Sequence, residues 1–202
     1  MGIRGLWTIL LKEYQDSIFN FIEVIEYGAT LLVDGNSFLF HLLNHQVLSI
    51  YKRFSFPREL GGCYSLMKEM IRLEIQRLRQ KLGFSNLIFY FDGRISYFKG
   101  DTKEKRRKQI LEQWNKIYSL SLGKLKASSL HPSDLPLPPL AHVLLRQVLE
   151  EMRITIVNCP DEADQIMAIE CRKLNSKQSN GKTVAFCYSG DRTTYNCDSH
   201  FF

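Results

Sequence analysis

Leu31-Leu32-Val33-Asp34-Gly35 and Phe89-Tyr90-Phe91-Asp92-Gly93 are two short apolar runs, each of which ends in an aspartate followed by a glycine. A run of this length, rich in branched and aromatic residues, reads as a buried strand rather than a surface helix. After Gly35, Phe38, Leu39, Leu42 and Leu43 recur at helical spacing, so the first run opens a strand, turn, helix unit. From Gly62 to Leu82, Met67, Ile71, Ile75 and Leu78 mark a long amphipathic helix, and Gly83 stands where a helix stop belongs. The second run, Leu87 to Phe91, then repeats the unit.

Downstream, the spacing predicts a basic helix from Asp101 to Tyr118 and a Ser- and Pro-rich mobile loop from Ser119 to Pro139. A helix over Leu140 to Met152, a strand over Ile154 to Val157, a helix over Asp161 to Leu174 and a last strand over Thr183 to Cys187 complete the pattern. Strands alternating with helices imply an α/β fold of three layers, α/β/α, around a mostly parallel sheet. With 202 residues, the chain (1–202) has room for one such domain.

Composition narrows the partners. Hydrophobic residues at 45% and charged residues at 24% are ordinary globular values. The 27 Lys and Arg against 21 Asp and Glu leave a net charge of +6, which favours an anionic partner such as a polynucleotide. Cys63, Cys159, Cys171, Cys187 and Cys197 are scattered and show no CxxC spacing, so they read as free thiols in a reducing, intracellular compartment. A zinc site built from Cys187, Cys197 and His200 is the weaker reading, and His41, His45, His131 and His142 read as structural. No run approaches a membrane span.

The acids carry the chemistry. Ligands of open parallel sheets bind beyond the carboxyl ends of the strands, and Asp34, Asp92, the pair Glu162 and Asp164, and Asp191 fall at or just past four predicted strand ends. Converging carboxylates repel by about 4 kcal/mol per pair at ~4 Å and an effective dielectric of about 20, so cations stabilise such a cluster. All-oxygen ligands favour Mg²⁺ or Mn²⁺, and two such ions suit phosphodiester hydrolysis. Each acid also has a structural explanation. Asp34-Gly35 and Asp92-Gly93 suit turns, while in Pro160-Asp161-Glu162-Ala163-Asp164 residue Asp161 suits an N-cap and Asp164 an acidic first turn.

The order of these motifs resembles the flap endonuclease and XPG superfamily, a PIN-like nuclease fold, and is most similar to its asteroid branch. Met1-Gly2-Ile3-Arg4-Gly5-Leu6 resembles the superfamily's start, the two Asp-Gly strand ends its metal-ligand positions, Cys159 to Asp164 its paired-acid helix, and Ser189-Gly190-Asp191 its last acidic motif. The resemblance implies two Mg²⁺ or Mn²⁺ ions held by Asp34, Asp92, Glu162, Asp164 and Asp191, and a nuclear enzyme cutting DNA, or RNA, with flap, overhang or single-stranded features. It places Gly2 at the nucleic acid beside the active site. Two departures stand out. Thr193 occupies the position of a second carboxylate after Asp191, which weakens one metal site. The family also continues past the position of Phe202, so its C-terminal part is expected to be missing here.

Arg94, Lys99, Lys103, Lys105, Arg106, Arg107 and Lys108 follow Asp92, a density of cations suited to a phosphate path. Under the resemblance, residues 94–139 correspond to an arch-like helix and loop, Arg94, Lys99, Lys103, Arg106 and Arg107 bind nucleic acid, and Lys99 and Arg106 hold the scissile phosphate. Read by itself, the same run is a solvated helix face. Tyr97 and Phe98 suit either base stacking or the core. Two other functions compete with the nuclease: a scaffold of the same fold that has lost catalysis, and a phosphatase using a strand-end nucleophile. The latter needs an acid where Asn36 stands.

Overall fold

The computed structural model describes residues 29–45, 64–80, 82–93, 100–124, 136–176, 185–189 and 193–196. Strands β1 (Thr30–Asp34), β2 (Asn86–Phe91), β3 (Thr155–Asn158), β4 (Ala185–Ser189) and β5 (Thr193–Asn196) form one sheet in the order β3-β2-β1-β4-β5. The first four strands run parallel and β5 pairs antiparallel with β4. The described helices are α1 (Gly35–His45), α2 (Tyr64–Gln80), α3 (Gly100–Ser121), α4 (Ala141–Glu151) and α5 (Ala163–Ser176).

Strand alternation divides the core into two layers. Leu31, Val33, Leu87, Phe89, Phe91 and Phe186 turn to one face, where Phe38 and Leu42 of α1, Ile71 and Ile75 of α2 and Leu145 and Leu149 of α4 cover them. Leu32, Tyr90, Ala185 and Cys187 turn to the other face, against Ala163, Met167 and Cys171 of α5. Burial on both faces explains why the strands are continuously apolar rather than alternating. The chain winds outward from β1 through β2 to β3 and then returns to β4 on the far side of β1, so a right-handed crossover must change faces at that step. That reversal makes the carboxyl ends of β1 and β4 a topological switch point.

The helices take their expected faces. Met67, Met70, Ile71, Glu74, Ile75 and Leu78 are the buried residues of α2, spaced by three and four. One of them is charged: Glu74 accepts two bonds from Arg77, at 2.9 Å and 2.7 Å, which offset its desolvation. Gly83 adopts φ 74°, the left-handed backbone that follows a helix end.

Several boundaries differ from the sequence reading. The basic helix runs on to Ser121, and within its last turn the hydroxyls of Ser119 and Ser121 donate to the carbonyls of Asn115 and Tyr118 rather than competing for the helix's own N–H groups. Gly123, at φ 69°, ends it instead. The helix expected from Asp161 begins at Ala163, and the strand expected from Thr183 is described over Ala185–Ser189. Strand β5 is an addition to the expected pattern. Among the described residues no helix is long and apolar enough to cross a membrane. Cys159, Cys171 and Cys187 are buried, and none of the three is in a disulfide.

Candidate functional site

Asp34 closes the central strand and at once caps the helix that follows. Its Oδ1 accepts the backbone N–H of Asn36 at 2.8 Å and of Ser37 at 3.1 Å, and its Oδ2 accepts the Ser37 hydroxyl at 2.6 Å. The side chain is 8% exposed, so these donors also compensate its burial. The step from strand to helix requires Gly35 because a Cβ there would overlap the Phe91 ring. The Arg146 guanidinium lies over that ring, 4.0 Å from its centroid, and donates to Asn158 Oδ1 at 2.8 Å.

Asp92 follows β2, whose Tyr90 is paired with Asp34 in the parallel register. Its Oδ1 accepts the Ala163 backbone N–H at 2.8 Å and its Oδ2 accepts the Asn36 amide at 2.8 Å. Asp92 therefore caps α5 from a distant part of the chain, whereas the sequence offered Asp161 as a residue suited to that cap. Asp161 contributes its carbonyl instead, accepting Gly93 N–H at 2.8 Å, and Cys159 N–H donates to the Phe91 carbonyl at 2.9 Å. Gly93 is required by this close strapping, since a Cβ there would run into the backbone carbonyls of Cys159 and Pro160.

Glu162 immediately precedes α5 and Asp164 lies in its first turn. Asp164 is exposed at the surface, and its carboxyl is raised above its ordinary range by partial desolvation and then by the negative charges of Asp34, Asp92 and Glu162. Acids from three strand ends thus act on Asp164. The Cys159 thiol is pushed up by burial, Asp92 and Asp34, which keeps it protonated and unsuited to nucleophilic work.

Among the described residues no three His, Cys, Asp or Glu side chains already stand together as a metal-binding group. The acids' mutual repulsion and all-oxygen donors nevertheless fit a hard divalent cation in charge and kind, and every carboxylate oxygen has more than one lone pair. Asp191 lies outside the described residues, as do Gly2, Arg94 and Lys99. Thr193 is the first residue of β5, opposite Ser189. Lys103 falls within α3, and Arg106 and Arg107 are exposed on that helix, as are all of residues 104–112. The sequence reading missed Ser37 and Arg146, and treated Asn36 only as a turn residue and as an absent acid. Asn36 two places after a strand-end aspartate was the one legible signal, because Asn is a strong local hydrogen-bonding residue at a helix start. No local pattern marks Arg146.

No family model and no curated protein matches this chain. Among solved structures it is similar to the catalytic core of Rad2 in complex with a DNA substrate, at a TM-score of 0.48 and 14% identity over 92% of this chain. The chain spans about half of that protein's chain, 50%.

Proposed function

We propose that this chain is the catalytic half of a divalent-metal-dependent nuclease of the flap endonuclease and XPG superfamily, nearest its asteroid branch. The observation that carries the reading is the placing of Asp34, Asp92, Glu162 and Asp164 at three neighbouring strand ends beside the switch point of the parallel sheet, with Asp34 and Asp92 linked through Asn36 and Asp92 bonded to the start of the helix that carries Asp164. In this reading Asp34, Asp92, Glu162 and Asp164, with Asp191, hold two Mg²⁺ or Mn²⁺ ions. When bound, the ions supply an activated water and neutralise charge on the leaving oxygen. The protein's own part is positional: the caps on α1 and α5 fix Asp34 and Asp92, and the exposed cations of α3, Arg106 and Arg107 among them, attract the phosphate backbone. Lys99 and Arg106 hold the scissile phosphate, and Arg94, Lys103 and Gly2 contact nucleic acid with flap, overhang or single-stranded features.

A scaffold of the same fold is the second reading, favoured by the full engagement of Asp34 and Asp92 as helix caps and by Thr193 at the start of β5. Cleavage assays on flap, overhang and single-stranded DNA and RNA, in Mg²⁺ and in Mn²⁺, separate the two. Metal-dependent cutting by the parent and none by Asp34→Asn is the expected result. No cutting by the parent in either metal would favour the scaffold, and metal-independent or equal cutting by both would remove the metal-site assignment.

A further inference from the structure

Asn36 touches both strand-end aspartates. Its backbone N–H donates to Asp34 Oδ1 and its side-chain amide donates to Asp92 Oδ2, each at 2.8 Å, the second across 56 residues of sequence. We propose that Asn36 is the positioning residue that holds the Asp92 carboxylate beside the Asp34 cap, so that both acids face a divalent cation together. The inference rests on the metal-dependent reading above.

Asp34 is fixed by its own helix through Asn36, Ser37 and the Ser37 hydroxyl, independently of any side chain at position 36. Asp92 sits past the end of β2, where the parallel ladder no longer restrains it, and is exposed. Its Oδ1 is directed by the α5 N-terminus, but that bond alone leaves the carboxylate free to rotate about it. The Asn36 amide supplies the second restraint. Its neutrality matters as much, because an amide N–H brings a positive dipole to the carboxylate without adding another negative charge beside Asp34 and Asp92. Residues that orient metal-ligating groups in this way typically contribute roughly 10- to 100-fold in metal affinity.

The experiment titrates the full chain with Mn²⁺ alone, by electron paramagnetic resonance of the free ion, and records the Tm with and without Mn²⁺. In Asn36→Ala the exposed side-chain bond is lost while the Asp34 cap persists, so the metal-free Tm should change little and Mn²⁺ affinity should fall about tenfold or more. In Asn36→Asp a carboxylate of the same shape faces Asp92. The metal-free Tm should fall, and the Mn²⁺-induced rise should exceed that of the parent, because the cation relieves the new repulsion. If the parent binds Mn²⁺ and Asn36→Ala binds it as tightly, the positioning role is wrong while the metal reading stands. If the parent binds no Mn²⁺, the metal reading itself fails and the inference falls with it. Equal Tm losses in both variants with unchanged Mn²⁺-induced rises would assign Asn36 to structure alone. Should Asn36→Ala not fold, Asn36→Asp decides: a rise no larger than the parent's overturns the proposal.

Discussion

The backbone N–H of Ala163 donates to Asp92 Oδ1 at 2.8 Å, so the helix that carries Asp164 starts on a carboxylate supplied from 71 residues earlier. A strand end and a helix start are thereby locked together at the point where the acids meet. Asp92 has two separable jobs, one as a cap and one as a charge.

Those jobs predict different outcomes for two substitutions. Asp92→Ala removes the cap and should cost about 1 kcal/mol, a Tm loss of roughly 2–4 °C for a chain of this size. Asp92→Asn keeps an acceptor for Ala163 and should lose less. Both should abolish the Mn²⁺-induced rise in Tm expected from preferential binding to the folded state. Thermal melts with and without Mn²⁺ check this, and a full rise in Asp92→Asn would exclude its charge from cation binding.

Asp164 predicts a pH dependence. Because its folded-state pKa is raised, the fold disfavours the ionised form. This penalty is absent below the ordinary value of 3.8 and complete once pH exceeds the folded value. Asp164→Asn should therefore melt above the parent at neutral pH, and the difference should vanish as pH falls below 3.8. A series of melts from neutral to acid pH reads the difference directly. A variant less stable than the parent at neutral pH would mean that the acid's attraction to the α5 N-terminus outweighs repulsion by its neighbours.

Gly93→Ala tests the strap over β2. The added methyl group meets backbone carbonyls of Cys159 and Pro160, which cannot swing aside as a flexible side chain would. A loss of about 1–3 kcal/mol is expected from such overpacking, read as a lower denaturation midpoint with an unchanged slope. A neutral result would show that the Cys159 to Asp161 loop lifts easily.

On α3, Arg106→Ala should weaken binding to all nucleic-acid sequences alike and lower the salt slope by about one unit. Lys99→Ala should do the same. Arg106 is exposed, so stability should barely change. Affinities measured across a salt series decide the matter: an unchanged slope returns these cations to an ordinary solvated helix face.

Thr193→Asp tests whether a missing carboxylate limits catalysis. The substitution should raise Mg²⁺-dependent cleavage of a flap or overhang by about tenfold or more, ~1.4 kcal/mol of transition-state stabilisation. Combined with Asp34→Asn it should be inactive. No gain in a variant that folds and binds metal would favour the scaffold reading.

Much of the fold was legible in local pattern. The apolar runs before Asp34 and Asp92, and the spacing of Met67, Ile71, Ile75 and Leu78, each record burial that an extended or helical backbone imposes on its own residues. They determined the alternating elements, the parallel sheet and the strand-end acids. The tertiary structure decided what those acids touch. It gave Asp92 rather than Asp161 the cap of α5, made Gly93 a point of backbone contact, and brought Asn36 to Asp92 and Arg146 over Phe91. The reason is range. Periodicity reports which face of an element is buried, whereas these partners are set by crossover connections that join distant segments, and no local spacing encodes them.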